Sequence, residues 1–278
     1  MSAPVPPVPG MEPYADRVRA GDWRGLLALG RFGLAARTWR LVEGEAADPE
    51  IDDALASLAE VEAAVRTKAA GRARQTLARL VSRPAELVDW ASLEADLEVL
   101  ETASAAVDQR EAEAAREALT GLRTECFRAE REALLGTLAV LDGEGERAMA
   151  HFDAALALDP NHVRAWTNRG NVRLEAGDVG GAIGDYEQAL RIDDAFANAY
   201  HNLGVAYRRQ GQIGKSVAAL RKAQRYAARS DAEAARAGLR GGRPGTAARG
   251  GRPGWRRWLW IAAGAAAVIW FLQQRGTI

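Results

Sequence analysis

The chain is short of cysteine, histidine and lysine, and each shortage removes a class of function. One cysteine, Cys126, in 278 residues cannot close an internal disulfide, and no histidine adjoins it to activate the thiol. It falls in an amphipathic stretch and reads as a small apolar packing residue. The three histidines, His151, His162 and His201, stand apart, so no metal-spaced His/Cys cluster exists and no metal is expected. No phosphate-cradling loop and no nucleophile motif occurs either. The chain is therefore not expected to be an enzyme or to hold a cofactor. Lysine is confined to Lys68, Lys215 and Lys222 against 34 arginines, a bacterial-looking bias that says little about function.

A core can still form. Hydrophobic residues make up 48 % and charged residues 27 %, enough for one or two domains rather than a disordered chain. The formal net charge of zero is a cancellation: residues 231–278 carry eight arginines against Asp231 and Glu233, leaving the preceding part acidic. Met1–Gly10 has Pro4, Pro6, Pro7 and Pro9 but no basic stretch followed by an apolar run. No secretory leader is expected there, and residues 1–14 read as an extended, disordered Pro-rich tail.

Apolar residues then recur at helical spacing, and no alternating strand pattern occurs. Trp23, Leu26, Leu27, Leu34, Leu41 and Val42 predict a helix from Asp22 to about Val42, with Asp22 as its cap and Gly25, Gly30 and Gly33 weakening it. Asp48-Pro49 opens a second helical stripe through Leu55, Leu58, Val65, Leu77 and Leu80. Ser82-Arg83-Pro84 interrupts it, and a third stripe runs through Leu87, Trp90, Leu93, Leu97, Leu100, Val107, Leu119 and Leu122.

Behind these, three stretches fall into register when slid by 34 residues: 129–162, 163–196 and 197–230. Place eight holds Gly136, Gly170 and Gly204; place fifteen holds Gly143, Gly177 and Gly211. Place twenty holds Ala148, Ala182 and Ser216; place twenty-four holds Phe152, Tyr186 and Leu220. Small residues at eight, twenty and twenty-seven let two helices approach, large ones at four, eleven and twenty-four fill the space between them, and glycine fifteen stops the first helix. The pattern resembles the tetratricopeptide repeat family, with Trp166, Gly170, Ala182, Tyr186 and Pro160 among its matching positions. The resemblance implies an all-α solenoid of three helix–turn–helix units over 129–230. Arg169 and Arg173 depart from it, one helical stripe at places the family buries; they are read as snorkelling, with pairing to acidic residues of a neighbouring helix as the alternative.

Residues 15–128 show no 34-residue phase. They are either degenerate repeats extending the solenoid or a helical hairpin of coiled-coil character that packs against it or self-associates, the second being preferred. Residues 231–254 contain Arg-Gly-Gly-Arg-Pro-Gly twice and read as a flexible basic linker. The uncharged run Trp258–Leu272, flanked by Arg256-Arg257 and Arg275 and bracketed by tryptophans, predicts a transmembrane helix over 255–274. Arginine bias places the repeats on the cytoplasmic side of a bacterial inner membrane, with a single pass through the bilayer.

The resemblance implies a groove along the first helices that takes a protein or peptide partner, with Arg164, Thr167, Asn171, Asn198, His201 and Arg208 at the family's groove places. Asn168 and Asn202, at place six, read as structural. The expected function is a membrane-anchored interaction scaffold or adaptor. The alternative is a tethered assembly or chaperone-like factor acting through the front helices; a nucleic-acid-associated adaptor using the Arg-Gly linker is disfavoured by the acidic remainder, so no nucleic acid is expected. A second copy of the chain stays open as a further partner.

Overall fold

Six tight turns, which share their geometry with a seventh at Gly21, set the architecture. The computed structural model describes residues 14–80 and 82–241, and among them every regular element is helical. Two short helices, α1 (Ala15–Arg19) and α2 (Trp23–Ala28), lead to α3 (Phe32–Glu43), α4 (Pro49–Arg66), α5 (Ala70–Arg79), α6 (Trp90–Gln109) and α7 (Ala112–Leu119). The repeat region supplies α8 (Arg128–Leu141), α9 (Gly145–Leu158), α10 (Val163–Glu175), α11 (Val179–Ile192), α12 (Ala197–Arg209) and α13 (Ile213–Gly241). Met1–Ser230 form one compact unit; Asp231–Ile278 form another, described only over 231–241. The predicted Pro-rich tail before Tyr14, the linker beyond Gly241 and the predicted span 255–274 lie outside the described residues.

At each turn one residue takes a left-handed conformation: Gly30 (φ 69°), Lys68 (61°), Arg110 (61°), Gly143 (78°), Gly177 (87°) and Gly211 (78°). The next N–H then reaches the carbonyl five residues back, as from Ala69 to Ala64, Glu111 to Ala106 and Asp178 to Arg173, all at 2.9 Å. This is the Schellman closure, which satisfies carbonyls that the end of a helix leaves open. Five residues after each turn sits a small buried residue, Ala35, Ala73, Ala115, Ala148, Ala182 or Ser216. Nine residues after stands a large one: Trp39, Leu77, Leu119, Phe152 and Tyr186 are buried and Leu220 half-buried. The front region is therefore no single coiled-coil hairpin but three hairpins, α2–α3, α4–α5 and α6–α7, in the turn register of the repeats. Turn-to-turn spacing is 38, 42 and 33 residues before it settles at 34, which hides the relation from a fixed-period comparison.

The three predicted front helices are each cut where the turn falls. Asp22 caps α2 through Gly25 N–H at 2.8 Å, but Gly30 ends that helix and α3 starts afresh. The second stripe breaks at Lys68 and the third at Arg110, residues without glycine's freedom. A left-handed residue with a side chain costs about 1–2 kcal/mol, and glycine returns part of that through the unfolded chain. Arg110 is exposed and makes no ion pair among the described residues. Arg110→Gly should thus stabilise the chain by about 0.5–1 kcal/mol; a urea midpoint that falls instead would show that this turn is held by something other than its backbone.

Within each repeat, glycine at place eight meets the large residue at place twenty-four. A Cβ on Gly136 or Gly170 would come within 2.6 Å of the Phe152 or Tyr186 ring, and one on Gly204 within 2.8 Å of Leu220. This close approach is why the unit packs so tightly.

Candidate functional site

Two polar systems stand on this scaffold: a row along the first helices of the repeats, and a buried ion cluster where the front hairpins meet the first repeat boundary.

The row begins with an amide ladder. Asn168 Nδ2 donates to Thr137 Oγ1 at 3.3 Å, and Asn202 Nδ2 donates to Asn171 Oδ1 at 2.8 Å, so place six of one repeat bonds place nine of the repeat before it. Asn171 Oδ1 also accepts from Tyr186 Oη–H at 2.8 Å, which fixes its rotamer and leaves its two N–H groups uncommitted. Asn198, His201 and Arg208 are exposed along α12 with no side-chain partner among the described residues. They can meet a ligand without first breaking a bond.

The other two predicted groove residues are otherwise engaged. Thr167 is buried and its hydroxyl donates to Val163 O at 2.9 Å, the back-bond of a threonine inside a helix. Arg164 pairs with buried Glu130 and donates from Nε to Arg66 O at 3.2 Å. It belongs to the ion cluster and is not free to hold a partner's carboxylate. Arg169 and Arg173, read as snorkelling, are instead paired. Arg169 grips buried Asp185 with two bonds of 3.0 and 2.7 Å and reaches Asp153 at 2.6 Å, while Arg173 adds 3.0 Å to the same Asp185 oxygen. Burial works against the Arg169 cation, but Asp185 and Asp153 outweigh it and raise its pKa.

The ion cluster joins segments distant in sequence. Asp159, in the turn between α9 and α10, accepts from Arg66 Nε at 2.7 Å and Nη2 at 3.1 Å, and lies 2.9 Å from Arg31 Nη1. Glu62 accepts from Arg66 at 2.6 Å and from Gly33 N–H at 2.8 Å, placing a carboxylate at the N-terminus of α3. His162 accepts Ala165 N–H on Nδ1 at 3.1 Å, and its Nε2 faces Glu130 at 3.0 Å, which assigns the neutral tautomer with the proton on Nε2. His162, one of the three histidines that stand apart in sequence, is a buried helix cap. Burial would raise the Asp159 and Glu130 carboxyls, but Arg31 and Arg66 for the one, Arg164 and His162 for the other, hold each at about 2. Tyr14 completes the junction by donating to Leu158 O.

Nearby, Asp96 on α6 accepts Arg123 and Thr124 N–H at 2.8 Å each and pins the loop between α7 and α8. Cys126 lies in the short 3-10 turn Glu125–Phe127, half-buried, and burial pushes its thiol up, as befits packing rather than reactivity. Between α5 and α6 is an open polar cleft of about 690 Å³, whose Arg74 already pairs with Glu101 at 2.9 Å. Among the described residues no His, Cys, Asp and Glu cluster could hold a metal ion, and no helix is long and apolar enough to cross a membrane.

Stacked antiparallel helix pairs in one register, with side chains presented along the first helix of each, define a helical-repeat protein of the α-solenoid class. Part of the chain matches tetratricopeptide repeat models: those described as TPR repeat or tetratricopeptide repeat match residues 151–184, 170–211 and 197–229. Among solved structures the chain is similar to MamA at 19 % identity, covering 62 % of this chain and 96 % of that one with a TM-score of 0.39. It is also similar to YrrB, described as a TPR protein with an unusual peptide-binding site, at 19 % identity over 60 % of this chain and 82 % of that one, TM-score 0.38. No curated protein matches the chain.

Proposed function

We propose that the chain is an interaction scaffold that captures a protein or peptide segment along α10 and α12 while its C-terminal part anchors it to the bacterial inner membrane, repeats toward the cytoplasm. One observation carries the groove reading: Asn198, His201 and Arg208 are exposed and uncommitted beside an Asn171 whose orientation the ladder fixes. Side-chain amides suit an extended backbone, and a free guanidinium suits a carboxylate. The anchor is supported by the uncharged Trp258–Leu272 run, its flanking tryptophans and the arginines before it.

A photo-crosslinking residue at position 201 should trap a discrete partner in cells, whereas the same residue at exposed position 191 on α11 should not. Equal labelling at both would sink the groove reading. Asn198→Ala/Arg208→Ala is expected to cut the adduct from a probe at position 201 about tenfold, the loss of two polar contacts of roughly 0.5–1.5 kcal/mol each. The anchor is tested separately by fractionation: full-length chain should sediment with membranes and a chain lacking 255–278 should not.

A further inference from the structure

The third repeat differs from the rest of the chain in charge and in how it ends. Residues 197–230 contain seven lysines and arginines and no aspartate or glutamate, although the whole chain is neutral. Arg208, Arg221, Lys222 and Arg225 are exposed, and none pairs with a carboxylate among the described residues. Aromatic rings hold part of this charge in place: Tyr200 and Tyr226 stack with centroids 5.5 Å apart, with Lys222 5.2 Å over the first ring and Arg225 4.9 Å over the second.

The same repeat ends on an apolar face that its predecessor covers. Val179 and Ile183, places seventeen and twenty-one of repeat two, are half-buried in a cluster with Leu203, Ala206 and Tyr207 of the following helix. Ile213 and Val217 occupy those places in repeat three, and they are 58 % and 43 % exposed. Terminal repeats normally turn a polar face outward, since nothing stacks on them. Here the places a next helix would cover remain β-branched and apolar, and the same side of α13 continues into Arg221 and Arg225, which pair with no carboxylate among the described residues.

We infer that the α12–α13 end face is a second docking surface, one that receives an acidic amphipathic helix from a partner protein. Its apolar stripe would lie on Ile213 and Val217 as α12 lies on Val179 and Ile183, and glutamates or aspartates beyond that stripe would meet Arg221 and Arg225, which follow Val217 at successive i+4 steps along the same side of α13. Charge complementarity selects the occupant: a neutral or basic helix finds the same apolar strip but is repelled at its rim. This surface is separate from the first-helix groove, and either can fail without the other.

The probe is a fluorescent synthetic helix of about 18 residues, about five turns, with leucines on one stripe and glutamates beside them, titrated into full-length chain in non-ionic detergent. Saturable binding that weakens with salt is expected, with Kd in the micromolar range, about −8 kcal/mol. Ile213→Glu/Val217→Glu should raise Kd at least about tenfold and Arg221→Glu/Arg225→Glu several-fold. Both pairs are exposed, so circular dichroism should stay unchanged, and His201→Ala should leave the affinity as it was. The inference is overturned if a lysine-for-glutamate version of the probe binds equally well, or if Ile213→Glu/Val217→Glu keeps wild-type affinity. It is equally overturned if oligo-dT or phosphatidylglycerol-doped micelles engage these residues while the acidic helix does not.

Discussion

Replacing Asp159 by asparagine will destabilise the Met1–Ser230 unit by about 3 kcal/mol at neutral pH, because the change leaves buried Arg31 and half-buried Arg66 to share Glu62, at 3.6 and 2.6 Å, as their one remaining carboxylate among the described residues. In a unit of this size each kcal/mol is worth about 2–4 °C, so a fall of roughly 10 °C in unfolding temperature is expected. An exposed pair gives the contrast: Asp153 is more than half exposed, and Asp153→Asn should cost under about 1 kcal/mol even though Arg169 touches it. The pH dependence separates charge from packing. The Asp159 and Glu130 carboxyls titrate at about 2 in the folded chain, below the usual range near 4. Depressed folded values mean stability that is fully present above about pH 4.5 and lost as the pH falls toward 2. The wild-type chain should therefore show a steep acid limb in denaturation midpoint between those values. In Asp159→Asn that limb should be shallower, and the gap between the two proteins should narrow by pH 2.5. A gap as wide at pH 2.5 as at pH 7 would mean that the side chain acts through shape rather than charge.

That junction also marks where sequence reading stops. The repeats were legible because their turn is made by glycine at a constant phase, and Gly143, Gly177 and Gly211 do take left-handed angles. The front hairpins use the same turn, yet Lys68 and Arg110 carry the left-handed angle there, and no local signal marks a lysine or arginine for that role. The small residue five places on and the large one nine places on were visible in every hairpin; the uneven spacing kept them from being aligned. Asp159 meets Arg66 across 93 residues, so neither residue's neighbours could announce the pair. Arg169 and Arg173 take the pairing alternative that the sequence left open beside snorkelling. Two arginines on a stripe normally buried need a counter-charge, and Asp185 stands on the facing helix of the same repeat. Of the six groove positions, family register located all six on the first helices but could not see occupancy: Thr167 is turned into its own helix and Arg164 is spent on Glu130.

Tyr186 ties core to groove, and two substitutions there should come apart. Tyr186→Ala removes a fully buried ring packed against Gly170, Leu203 and Ala206, and leaves a cavity between α10, α11 and α12. About 3–5 kcal/mol of stability should be lost, read as a shift in urea midpoint, with the third repeat loosening first in hydrogen exchange. Tyr186→Phe keeps the ring and deletes one hydroxyl. Burial holds that hydroxyl protonated, its pKa raised, so it is a donor at every accessible pH, and its one partner is Asn171 Oδ1. The stability cost should be only about 1 kcal/mol, since Asn202 still satisfies the amide oxygen. Its effect on binding should be larger in proportion. With one of two donors gone, Asn171 can swing, and the N–H groups it offers a bound backbone lose their fixed direction. Partner crosslinking from position 201 should fall several-fold in Tyr186→Phe while the denaturation midpoint barely moves. If crosslinking follows stability alone, being lost in Tyr186→Ala and unchanged in Tyr186→Phe, then Asn171 is a rung of the inter-repeat ladder and the groove is read by Asn198, His201 and Arg208 without it.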